Sequence, residues 1–137
     1  MRYLLDTSAV LAHTRGEAGG DRVQALFDEP GSQLFAASIS LAEFARRLRE
    51  LGASPDEARR AAADYAQVLD EVVPVDARVA LAAFDLGCEA TRRLPLADAL
   101  IAAAARERGA CLVHRDPHFL SLPPHLLPQE DLSRGGS

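Results

Sequence analysis

Apolar and polar positions along this chain switch repeatedly between a strand-like and a helix-like period. Arg2 to Leu5 is a short β-type run ending at Asp6-Thr7-Ser8, a cluster suited to a helix N-cap, so a strand feeds directly into a helix. Val23, Leu26 and Phe27 sit at helical offsets within Asp21 to Asp28, and Pro30-Gly31 marks a turn. Leu34 to Ala37 is a second candidate strand. The helix after it carries Leu41, Phe44, Ala45, Leu48 and Leu51 on one stripe and stops at Gly52. Ser54-Pro55-Asp56-Glu57 reads as an N-cap, a proline at the first helical position and acids in the first turn; the helix it opens has Ala58, Ala61, Ala62, Tyr65, Val68 and Leu69 as its stripe. Val72 to Val75 is a third strand, which Pro74 assigns to a sheet edge. Asp76 to Thr91 is helical by pattern, and Leu94-Pro95 starts a helix that runs to about Arg108 before Gly109. Cys111 to His114 is a fourth strand and Leu126-Leu127 a candidate fifth.

Strands alternating with helices predict an α/β layer structure with a mostly parallel sheet of four or five strands. The pattern is that of one domain over residues 1–127, with Pro128 to Ser137 expected to be a frayed polar tail. In such folds a ligand site lies beyond the carboxyl ends of the strands, where the strand order reverses. That rule tests any proposed site.

Composition narrows the chemistry. Acids (20) outnumber bases (15), giving a formal charge of −5, so gripping nucleic acid through bulk positive charge is not expected. All the bases are Arg. With no Lys, phosphate loops of the GxxxxGK[ST] type and Schiff-base enzymes are excluded. Asp6 interrupts the first apolar stretch, and no run approaches the eighteen apolar residues of a membrane span, so the expectation is a cytoplasmic protein. Cys88 and Cys111 lie in apolar surroundings with no CxxC or Cys/His spacing, and both are expected to be buried thiols.

Four acids stand where the strand-end rule would put a site. Asp6 follows the first strand, Glu43 lies in the first turn of the helix after the second, Asp98 in the first turn of the helix before the fourth, and Asp116 follows the fourth. Taken singly, three have an ordinary structural reading: Asp6 as a helix cap, Glu43 as the end of a Ser40-Leu41-Ala42-Glu43 capping box, and Asp116-Pro117 as a turn. Asp98 has none. It is the sole polar residue in Leu96 to Ala105, a segment apolar on every face, and a carboxylate desolvated there without a partner costs several kcal/mol. Taken jointly, two carboxylates about 4 Å apart repel by about 4 kcal/mol at an effective dielectric of 20, so a converged cluster needs protons or a cation. Oxygen donors suit Mg²⁺ or Mn²⁺, which favour phosphodiester hydrolysis.

The motifs LLDTSAVLA, SLAEFARR, LPLADALIAAAARERGACLV and HRDPHF resemble, in order and spacing, the PIN-domain ribonucleases, and above all the VapC toxins of toxin–antitoxin pairs. The resemblance implies a three-layer α/β/α sandwich and an acidic Mg²⁺ or Mn²⁺ centre that cuts RNA. It implies Asp6 and Asp98 as direct metal ligands, with Glu43 and Asp116 completing the site directly or through water. It also implies an inhibitory antitoxin partner and a homodimer. This chain departs from the family in having His114 two residues before the last acid and His118 where some members carry a further acid or Asn. Thr7 or Ser8 could orient Asp6 or meet phosphate, and Arg46, Arg115 and His114 are candidates for holding the RNA backbone.

Two other readings stay open at this stage. One is a PIN-like module that binds RNA or protein around a degenerate metal site. The other, an acid-pocket receiver domain, is opposed by the missing Lys and by the lack of adjacent acids after the first strand.

Overall fold

The computed structural model describes residues 1–134. Five parallel strands, β1 (Arg2–Leu5), β2 (Gln33–Ala37), β3 (Glu71–Val73), β4 (Cys111–His114) and β5 (Gln129–Asp131), form one sheet in the order β3-β2-β1-β4-β5. Six helices surround it: α1 (Thr7–Arg15), α2 (Gly20–Asp28), α3 (Ser38–Glu50), α4 (Pro55–Val68), α5 (Ala77–Glu89) and α6 (Leu96–Glu107). The order reverses between β1 and β4, so their carboxyl ends border the crevice where a ligand site is expected.

The two-residue period of the strands builds the layers. Leu4, Phe35, Leu112 and Val73 face α5 and α6, while Tyr3, Leu5, Leu34, Ala36 and Val113 face the side packed by α1 to α4. Both faces are covered, as in other all-parallel sheets. On α6 the buried run Ala99, Ala102, Ala103, Ala104 and Ala105 lets the helix lie close to the sheet, with Ile101 filling the space beside it. Gly20 does the same for α1 and α2, because a Cβ there would stand 2.4 Å from the Ala12 carbonyl oxygen. Ser54 and Glu57 form the reciprocal capping box expected of the fourth helix, and β3 ends at Val73, just before Pro74, on the sheet edge.

Four expectations are corrected. The fifth strand is Gln129–Asp131 and not Leu126-Leu127, whose Leu127 is core; it pairs with β4 and a 3₁₀ turn over Leu132–Arg134 follows, so that part of the expected frayed tail is structured. The end of that tail, 135–137, lies outside the described residues. The Ser40–Glu43 capping box does not form: α3 starts three residues earlier, at Ser38 with Ala37 as its N-cap, so Ser40 is a buried interior residue. Finally, Cys111 is buried, but Cys88 is exposed on the outer face of α5, in line with Leu81 and Phe84, each 69% exposed. The apolar stripe of that helix is wider than the sheet can cover. For the same reason α6 is not buried all round, since Leu96 at its start faces solvent.

Candidate metal centre

Asp6 is held from three sides. Its N–H donates to the Val113 carbonyl (3.1 Å), extending the β1–β4 pairing by one residue. Its side chain then caps α1: Oδ1 accepts the Ala9 N–H (2.9 Å) and the Ser8 hydroxyl (2.7 Å). Ser8 in turn accepts the Arg115 N–H (2.8 Å), so the ends of β1 and β4 are tied through one hydroxyl. Asp6 is only 3% exposed, and among the described residues no donor meets Oδ2, which is left to a cleft of about 340 Å³ at the strand ends.

Glu43, Asp98 and Asp116 line the same cleft. Glu43 projects from α3 and accepts the Thr7 hydroxyl at 2.5 Å. Asp98 occupies the first turn of α6, where the helix dipole favours a negative charge. Asp116 caps the 3₁₀ turn Pro117–Ser121 through the His118 N–H (2.9 Å). That turn carries the His118 ring back over the acids, with Nδ1 3.1 Å from Asp98 Oδ2 and 3.0 Å from Asp116 Oδ1.

The electrostatics follow from this crowding. Burial, with the charges of Asp116 and Asp98 adding to it, pushes Asp6 up to about 7 against the opposing hydrogen bonds from Ser8 and Ala9. Burial first, then the charges of Asp116 and Glu43, raises Asp98 to about 6, with His118 opposing. A cluster so reluctant to ionise is stabilised by a cation. The donor set, four carboxylates around one cleft, fits a hard divalent ion such as Mg²⁺ or Mn²⁺.

The candidate substrate contacts divide. Arg46 lines the cleft. Arg115 stands at the rim, its guanidinium 3.4 Å from Glu17 and beside a shallow hollow it shares with Arg15 and Arg47. The hydroxyls of Thr7 and Ser8 are engaged with Glu43 and Asp6, so both act as braces for carboxylates. The expectation for His114 is overturned: it is wholly buried beneath Asp116 and cannot reach a substrate. Its Nδ1 accepts the Asp116 N–H (3.2 Å), so Nε2 carries the proton and donates to Gln129 Oε1 (2.9 Å); Gln129 in turn donates to the Phe119 carbonyl (3.1 Å). Burial lowers the pKa of the ring, keeping it neutral. Arg47, which with Arg46 the sequence places on the exposed side of α3, lines the cleft as well, and Glu50 is a lining residue that sequence reasoning passed over. Glu50 could have been found from its place on α3, about two turns beyond Glu43.

Chains from several solved complexes share the fold. One is from VapBC2 of Rickettsia felis bound to a DNA fragment from their promoter, with TM-score 0.74, 21% identity, and 96% of this chain and 98% of that one covered. Another is from VapBC-5 of Mycobacterium tuberculosis, with TM-score 0.65, 25% identity and coverage of 95% and 98%. VapC20 of Mycobacterium tuberculosis, a toxin that cleaves the sarcin-ricin loop, aligns with TM-score 0.69, 21% identity and coverage of 87% and 93%. No curated protein matches at the sequence level. The family model for the PIN domain matches residues 3–123, nearly the whole described fold and a span that contains all four acids. The chain belongs to the PIN domain family.

Proposed function

We propose that this chain is a divalent-metal-dependent endoribonuclease, the toxin of a toxin–antitoxin pair. The observation that carries the reading is the buried Asp6 carboxylate, whose free oxygen faces Glu43, Asp98 and Asp116 across one cleft at the strand-order reversal. Asp6 and Asp98 are assigned as direct ligands of Mg²⁺ or Mn²⁺, with Glu43 and Asp116 acting directly or through water. Held by these carboxylates, such an ion would supply an activated water for attack on a phosphodiester and charge to offset that of the oxygens that become more negative. Ser8 and the Ala9 amide fix Asp6, and Thr7 fixes Glu43, so these donors are held in place before the ion arrives. Arg46 and Arg115 hold the RNA backbone beside them.

The solved complexes that share the fold pair VapC-like chains with VapB partners, which supports an antitoxin as the partner here. A segment of that antitoxin would enter the acidic cleft and place a basic side chain among the carboxylates. The exposed Leu81 and Phe84 on α5 support a homodimer. Among the described residues no helix is long and apolar enough to cross a membrane.

The reading is tested by stripping the purified protein of metal and following cleavage of an RNA mixture as Mg²⁺ or Mn²⁺ is restored. Cleavage should be absent in excess chelator and should return with either ion. Undiminished cleavage in chelator would contradict a metal mechanism. Absence of cleavage with every ion, despite tight ion binding, would favour a binding module.

A further inference from the structure

We propose that His118 is a nitrogen ligand of this centre and that it shifts the preference of the site from Mg²⁺ toward Mn²⁺ and the later divalent transition ions. The inference rests on the reading of the cleft as a metal centre and concerns which ion it selects.

The geometry has three parts. First, Asp98, Asp116 and His118 each offer one donor atom, all within 4.8 Å of one another. Second, the His118 Nδ1 lies 3.1 Å from Asp98 Oδ2 and 3.0 Å from Asp116 Oδ1. Neighbouring corners of an octahedron with bonds of about 2.1 Å are also about 3.0 Å apart, so the nitrogen is spaced from both oxygens as a third corner would be. Third, Asp6 lines the same cleft, a residue 3% exposed with one carboxylate oxygen that no donor among the described residues meets. The ring is delivered by the backbone: Asp116 caps the 3₁₀ turn through the His118 N–H, which brings the side chain of the second residue back over the carboxylate of the first.

An imidazole changes the chemistry of an otherwise all-oxygen set. Mg²⁺ takes oxygen donors and gains little from a nitrogen, whereas imidazole suits the transition ions, with affinity rising from Mn²⁺ through Co²⁺ and Ni²⁺. The same contacts have a simpler explanation, in which a protonated His118 is a surface ion pair over two carboxylates, its side chain being 56% exposed. The two accounts differ in sign. A competing cation weakens metal binding and its removal strengthens it for every ion. A ligand strengthens binding of nitrogen-seeking ions, and its removal weakens those selectively.

The experiment is calorimetric titration of the full chain with Mg²⁺, Mn²⁺ and Co²⁺, comparing wild type with His118→Ala and His118→Asn, and pulsed electron paramagnetic resonance of the Mn²⁺ form. The expected result is nitrogen hyperfine coupling in wild type that both variants lose. The ratio of Co²⁺ to Mg²⁺ affinity should fall about tenfold or more, while Mg²⁺ affinity stays nearly constant. An unchanged ratio, tighter binding of all three ions in the variants, or no nitrogen coupling would overturn the proposal. Asp6→Asn in the same titration separates the two readings. If it abolishes binding while the His118 variants change nothing, only the ligand assignment falls; if wild type binds no divalent ion, the metal centre falls with it.

Discussion

The Ser8 hydroxyl donates to Asp6 Oδ1 at 2.7 Å and accepts the Arg115 N–H at 2.8 Å, so one small side chain joins the candidate metal ligand after β1 to the backbone after β4. The second of these bonds spans the point where the strand order reverses. Ser8→Ala removes them together, leaving a part-buried amide without its partner and Asp6 with one donor fewer. A loss of about 1–3 kcal/mol in unfolding free energy is expected. Metal affinity should fall about tenfold or more, as for other groups that orient a ligand. Denaturant unfolding and metal titration of the variant check the two effects separately.

His114 makes the opposite kind of prediction, because it is a buried brace and no part of the substrate surface. His114→Ala removes a buried ring packed on Phe119 and strands the Asp116 amide and the Gln129 side chain. A destabilisation of about 2–5 kcal/mol is expected. RNA affinity, measured at a temperature where the variant is still folded and with cleavage suppressed by chelator, should be little changed. A large loss of RNA affinity in a folded variant would return His114 to the binding surface.

Stability of the metal-free protein should fall as pH rises. Asp6 ionises at about 7 in the folded chain against an ordinary 3.8, and Asp98 at about 6, so the folded state holds these protons more tightly than the unfolded one. Their contribution is full below about pH 4 and is lost as pH rises through 6 to 7. Thermal unfolding in chelator should therefore show this decline superimposed on the titration of other groups. Asp6→Asn should flatten it, and saturating Mn²⁺ should raise Tm most at the upper end of the range.

The two thiols should separate cleanly in reactivity. Cys88 is exposed on α5, whereas Cys111 is buried in β4 and burial pushes its thiol up to about 11. A maleimide at neutral pH should label Cys88 within minutes and Cys111 only on unfolding, as peptide mass mapping would show. If Leu81 and Phe84 lie in a dimer interface, Cys88 labelling should slow as protein concentration rises.

What could be read from the sequence follows from which forces act locally. β1, β2 and β4 were legible as apolar runs because both faces of a parallel sheet are buried, and Ser54-Pro55-Asp56-Glu57 announced α4 through its own capping chemistry. The strand Gln129–Asp131 was not, because its polar side chains are only half-buried and its place depends on backbone pairing to β4. At the site, the strand-end rule drew attention to Asp6, Glu43, Asp98 and Asp116. Two histidines four residues apart in the same segment could not be sorted. His114 turns inward to a glutamine 15 residues later, and His118 is turned over the acids by the 3₁₀ turn that Asp116 caps. Cys88 escaped for a related reason, since helical periodicity does not say which stripe of an apolar helix meets the sheet.

The central claim is that carboxylates gathered at the strand ends hold the ion that drives RNA hydrolysis, and Asp98, in the first turn of α6 and lining the cleft, is assigned as a direct ligand. The most direct test compares single-turnover cleavage of a labelled RNA by wild type and Asp98→Asn at saturating Mn²⁺, with circular dichroism confirming that both are folded. Losing a direct ligand should slow cleavage by at least about a hundredfold, or about 2.7 kcal/mol in the barrier. Cleavage by folded Asp98→Asn at the wild-type rate would contradict the account.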